Sequence, residues 1–162
     1  MTQNLRVKSS EFIDETNRIS FKFDGKTYYG FKGDTLASAL IANNVHLVGR
    51  SFKYHRPRGI MTSGSEEPNA IVQVNPNSNI TEPNARATEI EIYEGLEASS
   101  QNCWPSVNFD IGGINNFLAP LFPAGFYYKT FMWPKSFWEK YEFFIRHSAG
   151  LGKSPNTRDP DI

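Results

Sequence analysis

Residues 59–74 read GIMTSGSEEPNAIVQV. Gly59, Gly64 and Pro68 punctuate a polar loop, and Ala70-Ile-Val-Gln-Val74 then has the apolar, β-branched character of a strand. Loops of this shape often hold a metal cluster or a phosphate. This one contains no cysteine, no histidine and no glycine-lysine pair. Its meaning depends on what the chain builds around it.

Upstream, Arg18-Ile-Ser-Phe-Lys-Phe23 alternates apolar and polar residues, the period of a strand. Asp24-Gly25 is a strong hairpin turn signal, and Lys26-Thr-Tyr-Tyr-Gly-Phe31 returns as the second strand. Gly33-Asp34-Thr35 ends that strand, with Asp34 expected to cap a helix. Leu36, Ala37, Leu40 and Ile41 supply one apolar helical face, and Asn43-Asn44 stops it. Val45 to Val48 reads as a short strand or a helix exit. The basic stretch RSFKYHRPR, residues 50–58, follows, where Pro57 argues against regular structure. Downstream of the loop and its strand, residues 75–84 form an Asn/Pro/Ser-rich excursion. Ala87-Thr-Glu-Ile-Glu-Ile-Tyr93 alternates again and reads as the closing strand. Two strands, a helix, a loop and two more strands assemble most naturally as a mixed sheet gripping one helix, an α+β β-grasp.

Beyond Gly95 the character changes. Gln101-Asn-Cys-Trp-Pro-Ser is turn-rich, and residues 110–118 suggest a short helix weakened by Gly112-Gly113. Pro134 suits the first turn of a second helix, about residues 135–148, with Phe137, Trp138, Tyr141, Phe144 and Ile145 on one face. The expected organisation is a flexible N-terminus (1–17), a β-grasp (18–95), an aromatic-rich helical extension (96–150) and a linker (151–162). Aromatic residues make up 14% of the chain, and twelve of them fall between Phe117 and Phe144. Such density fits either a second helical core or an interface, where aromatic anchors dominate.

Charge names no partner: 17 basic residues balance 17 acidic ones. A net charge near zero gives little colloidal protection and mildly favours a subunit over a free monomer. With Cys103 as the one cysteine, the chain can form no internal disulfide and no four-cysteine zinc or iron–sulfur site. The N-terminal residues lack the apolar core of a secretory signal, and no run approaches the roughly 18 apolar residues of a membrane span. A cytoplasmic location with no membrane contact is the expectation.

Several constellations fail on inspection. Gly152-Lys153-Ser154 looks like the end of a phosphate-binding loop, but His147 stands where its leading glycine should be, and Pro155 follows. No GxGxxG fingerprint is present. His46, His55 and His147 have no metal-ligand spacing, and no nucleophile set can be picked out. Glu66-Glu67 reads as a solvated pair on a loop. Arg50, Lys53, Arg56 and Arg58, interleaved with Phe52 and Tyr54, could serve a nucleotide or single-stranded nucleic acid. Four cations on a neutral chain make a weak electrostatic footprint, so an edge facing a partner subunit or a nucleotide cofactor is the competing reading.

The loop fits a known frame. Plant-type 2Fe–2S ferredoxins are β-grasps with ligand spacing C-x4-C-x2-C and a distant fourth cysteine. Laid on this loop with its last position opening the strand, the spacing falls on Thr62, Glu67 and Ala70, with the fourth ligand near Thr88. The frame is kept and every sulfur is missing. Iron in such clusters takes soft thiolate donors, and Ala70 offers no donor at all.

The strings GDTLASALIANNVHLVGRSFKYHRPRGIMTSGSEEPNAIVQV (33–74), EPNARAT (82–88), SQNCWPS (100–106) and FPAGFYYKTFMWPKSFWE (122–139) resemble the N-terminal domain of the α subunits of heterotetrameric sarcosine oxidases. The resemblance covers nearly the whole chain after about residue 17. Related α subunits of amino-acid dehydrogenases and of hydrogen cyanide synthase carry the four cysteines, whereas sarcosine oxidase α subunits resemble this chain in lacking them. The resemblance implies an enzyme that oxidatively demethylates sarcosine to glycine, producing hydrogen peroxide and, with tetrahydrofolate, methylenetetrahydrofolate. It implies NAD and folate sites in later domains of the α subunit, FAD and FMN involving the β subunit, zinc on the δ subunit, and a further γ subunit. No family catalytic residue maps onto this chain, which ends about where a dinucleotide-binding domain would start. The implied role is structural, with no cofactor of its own. Docking would run through Arg50, Phe52, Lys53, Tyr54, Arg56 and Arg58, and through Phe126, Tyr127, Tyr128, Phe131, Trp133 and Trp138.

Overall fold

A computed structural model describes residues 3, 5–6, 12–75, 80–121 and 133–149. Strand β1 (Asp14–Phe23) and strand β2 (Lys26–Lys32) form the antiparallel hairpin the sequence predicts. Asp24 and Gly25 both take positive φ, 49° and 74°, the backbone a tight two-residue hairpin turn requires. Helix α1 (Leu36–Ala42) follows. Strands β3 (Gly49–Arg50) and β4 (Pro57–Arg58) pair as a small separate ribbon. Strands β5 (Ile71–Val74), β6 (Glu82–Arg86) and β7 (Leu96–Ser100) complete a five-stranded mixed sheet in the order β2-β1-β7-β5-β6. β1 and β7 run parallel, and the other neighbours are antiparallel. This is the α+β β-grasp.

The core lies between the sheet and α1. Phe21 and Phe23 from β1, Leu36 and Leu40 from α1, Val48, Val72 from β5, Leu96 from β7 and Ile92 ahead of it are all buried together. Burying each such side chain contributes about 1.5–3 kcal/mol. A seven-residue helix is too short to persist on propensity. α1 holds because five of its residues, Leu36, Ala37, Ala39, Leu40 and Ala42, face the core.

Five readings change. Residues 87–93 are not the closing strand. Their carbonyls serve α1 instead: Leu36 N donates to Ile90 O at 2.7 Å and Ala37 N to Ala87 O at 2.9 Å. Those are amides at the start of the helix that have no intrahelical partner. The alternating apolar residues there pack on the core without joining a ladder. The closing strand is β7, central in the sheet and beyond the expected boundary at Gly95. The supposed excursion contributes β6, an edge strand, where Pro83 needs no ladder partner and Asn84 at φ 60° accompanies the register shift opposite β5.

At the N-terminus, β1 begins at Asp14, so residues 14–17 belong to the sheet and not to a loose tail. Arg6 also reaches the core edge. Its guanidinium forks onto the fully buried Asp34 carboxylate, at 2.5 Å and 3.1 Å. Asp34 therefore does not cap α1. Thr35 does, its hydroxyl accepting from Ser38 N at 3.1 Å, while Asp34 accepts from Phe31 N and the Ser38 hydroxyl. Pro57, expected to break regular structure, sits inside the β3–β4 ribbon. The flanking bonds run from Val48 N to Arg58 O and from Ser51 N to Arg56 O, so its missing amide leaves no gap.

Beyond the sheet, residues 110–118 form a 3-10 turn (Ile111–Gly113) followed by a single helical turn (Ile114–Phe117). A 3-10 turn (Lys135–Phe137) leads into a helix at Trp138–Ala149, in agreement with the sequence expectation. The expected linker, residues 151–162, lies outside the described residues, as do Phe126, Tyr127, Tyr128 and Phe131.

Candidate functional site

The loop between β4 and β5 closes around one side chain. Glu67 is 1% exposed, so it is not the solvated half of a loop pair, although its neighbour Glu66 is exposed. Its Oε2 accepts from Met61 N at 2.7 Å and Thr62 N at 2.6 Å. Its Oε1 accepts from Asn69 N at 2.8 Å and Ala70 N at 3.1 Å. The Thr62 hydroxyl adds a longer contact at 3.3 Å. Burial by itself pushes the Glu67 carboxyl up, but the amides of Thr62, Asn69, Met61 and Ala70 outweigh it and hold the group at about 2. The loop is fastened at its rim as well. Thr88 Oγ1 donates to Gly64 O at 2.7 Å, Ala87 N donates to Ala70 O at 2.9 Å, and Arg58 Nη1 donates to Asn69 Oδ1 at 2.5 Å.

The four positions of the ferredoxin frame thus sit about one loop. Thr62 and Ala70 give backbone amides to Glu67, and Thr88 ties down Gly64 at the loop tip. The sequence reading of Glu67 as solvated is overturned, because nothing in an adjacent Glu-Glu pair tells which member turns inward. Only the convergence of amides reveals it.

These residues do not fit a 2Fe–2S cluster. Thr62, Glu67, Ala70 and Thr88 supply no thiolate, and Ala70 is a buried methyl. Cys103 lies elsewhere, 3.2 Å from the Ser100 hydroxyl at the end of β7, and burial pushes its thiol up, away from the reactive thiolate. Among the described residues, no group of three or more His, Cys, Asp or Glu side chains could hold a metal.

The basic stretch spends its hydrogen bonds at home. Arg50 donates to Val107 O at 2.9 Å and to His55 O at 3.1 Å. Arg56 donates to Asn116 Oδ1 at 2.9 Å and, with Lys53, lies over the Tyr54 ring. Arg58 is held by Asn69. His55 Nδ1 lies 2.7 Å from Asp110 Oδ2, and Asp110 Oδ1 accepts from Trp104 N and Gly112 N. The β3–β4 ribbon and residues 101–116 therefore form one hydrogen-bonded unit, with Asn102 Nδ2 donating to Arg50 O as a further tie.

Exposed apolar side chains cluster in that segment. Trp104, Phe109, Ile111, Ile114 and Phe117 are each more than half exposed, Phe117 at 84%, and Phe52 is nearly half exposed. Trp133 is exposed at 83% and Trp138 at 37%. Sequence reasoning named Phe52, Trp133 and Trp138 but missed the residues between 104 and 117. Their signal was available: bulky apolar residues without strand or helix period, scattered among Gly, Pro and Asn, have no core face to occupy.

A β-grasp with a cluster-type loop defines the class, and the sequence profile of the 2Fe-2S iron-sulfur cluster binding domain matches residues 16–103. The chain belongs to that family. It is 59% identical over 157 residues, 96% of its length, to the sarcosine oxidase subunit alpha of Rhizobium meliloti (strain 1021). It is 37% and 39% identical over 89 residues, 54% of its length, to the sarcosine oxidase subunits alpha of Corynebacterium sp. strains U-96 and P-1. The chain spans only 16% of the first of these proteins and 9% of each of the others. Among solved structures, L-proline dehydrogenase from P. horikoshii matches with a TM-score of 0.43 and 23% identity, over 56% of this chain and 16% of that one. No helix among the described residues is long and apolar enough to cross a membrane.

Proposed function

We propose that this chain is the N-terminal docking domain of a sarcosine oxidase α subunit. The assembled enzyme would demethylate sarcosine to glycine with formation of hydrogen peroxide and methylenetetrahydrofolate. In this reading the domain contributes structure and contact surface, and no catalytic group. NAD, FAD, FMN, tetrahydrofolate and zinc belong to the other domains and subunits. Its partners are the dinucleotide-binding and folate domains of the α subunit and the β, γ and δ subunits, in the cytoplasm.

The observation that carries this reading is the 59% identity to a sarcosine oxidase subunit alpha across 96% of the chain. Two structural features support it. The cluster-type loop is filled by its own carboxylate, so the domain has no electron carrier to offer through that loop. The exposed row Trp104, Phe109, Ile111, Ile114 and Phe117 is an apolar surface of the kind that partners cover. The alternative, a nucleotide or single-stranded nucleic-acid module using residues 50–58, is disfavoured by arginines already committed to Val107, Asn116 and Asn69.

Co-expression tests the proposal. The 162-residue chain should be inactive towards sarcosine alone and should co-purify with the remaining α-subunit domains and the other subunits. Phe109→Ser with Ile114→Ser should weaken that association while leaving the far-ultraviolet circular dichroism unchanged. Sarcosine oxidation by the isolated chain, or failure to associate at all, would overturn it.

A further inference from the structure

We infer that Glu67 is a tethered structural anion, filling with its own carboxylate the amide-lined hollow that an anionic iron–sulfur group would occupy in a cluster-binding member of this family. The inference rests on family membership and on loop geometry, and it holds whether or not the chain serves sarcosine oxidation.

Backbone amides that converge on one point create a site for an anion, and iron–sulfur groups and phosphates are common occupants. Here four amides converge, those of Met61, Thr62, Asn69 and Ala70, all between 2.6 and 3.1 Å from a carboxylate oxygen. A carboxylate has two oxygens and about four lone-pair directions, one for each amide. The match is chemically selective. A glutamine of the same shape would turn its NH2 towards two of the donors, and a serine or threonine would reach too few of them. Among the described residues no salt bridge reaches Glu67, so its charge is balanced by amide dipoles. Two of those amides come from Thr62 and Ala70, the other ligand positions of the loop, and the fourth position, Thr88, holds the loop tip. Every position that would carry a metal ligand instead carries a hydrogen bond that closes the loop. The domain acquires a loop of cluster-binding form that needs neither iron nor sulfide to fold.

Removing the anion should create an empty site of known size. Glu67→Ala deletes a methylene and a carboxylate, the equivalent of acetate. Urea denaturation of the 162-residue chain, followed by circular dichroism, would be compared for wild type, E67A and E67Q in sodium acetate and in sodium chloride of equal ionic strength. The expected result is a loss of at least roughly tenfold in the folding equilibrium constant for both variants. Acetate should restore E67A in a saturable way, chloride should not, and neither wild type nor E67Q should respond. If E67A does not fold in chloride but does in acetate, the proposal stands on that contrast. E67Q as stable as wild type at neutral pH would overturn it. So would an E67A that acetate helps no more than chloride.

Discussion

Acidification should weaken this domain through Glu67, and the size of the effect follows from the loop. In the unfolded chain the carboxyl has the ordinary value of 4.5, and in the folded chain it lies at about 2. Between those values the unfolded state binds more protons, so stability rises with pH. The contribution is complete above about pH 5.5 and is lost progressively as the pH falls through 4.5 towards 2. At about 1.4 kcal/mol per pH unit the full shift would correspond to about 3 kcal/mol. The carboxylate is itself buried, but Met61, Ser63, Ser65, Glu66 and Pro68 around it are exposed. That cover is one loop thick, and solvent screens part of the interaction, so about 1–3 kcal/mol is the working figure. The charged neighbours are Glu66 in the same loop and Arg58, held on Asn69. Asp14 and Glu94 also lie below the usual carboxylate range, held there by hydrogen bonds from Thr16 and Ser20. The discriminating quantity is therefore the difference between wild type and E67Q. Urea midpoints followed by circular dichroism, from neutral pH down to about pH 2.5, would show the two stabilities converging as acid is added. Parallel curves would mean that Glu67 carries no such contribution.

Three further substitutions probe contacts elsewhere in the domain. Arg6→Ala strips the guanidinium from the buried Asp34 carboxylate and should cost about 3 kcal/mol, read from urea denaturation, with Asp34→Asn partly suppressing the loss. Gly33→Ala places a methyl 2.1 Å from Phe12 O at φ 93°, and should lower stability by about 2 kcal/mol or more in the same assay. Asp110→Ala removes an acceptor shared by Trp104 N, Gly112 N and His55. It should speed hydrogen exchange at the Trp104 and Gly112 amides roughly tenfold or more while leaving amides of β1 and β5 unchanged.

Much of the architecture was legible because local chemistry and tertiary role agree. The Asp24-Gly25 turn, the Phe21 and Phe23 alternation and the apolar face of α1 each carry their own signal. The failures share a physical cause. Leu96-Glu-Ala-Ser-Ser100 is a central strand whose inward residues are one leucine and one alanine, too small a signal to distinguish it from a loop. Ala87–Tyr93 has the stronger alternation, yet its carbonyls are drawn to the open amides of α1, a demand visible only once helix and segment meet. The loop was legible in spacing and not in content. Thr62, Glu67, Ala70 and Thr88 could be placed by counting residues, while the inward turn of Glu67 depends on four amides brought together by the fold. The exposed row from Trp104 to Phe117 is legible only through its lack of period, which denies those residues a core face without saying which of them share a surface.

A cluster-type loop closed by its own carboxylate should take up no iron. Anaerobic incubation of the purified 162-residue chain with ferrous iron, sulfide and thiol, followed by desalting and assay of iron and acid-labile sulfide, tests it most directly. Neither should be retained in stoichiometric amount. Two irons and two sulfides bound per chain, with the visible absorption of a 2Fe–2S cluster, would contradict it.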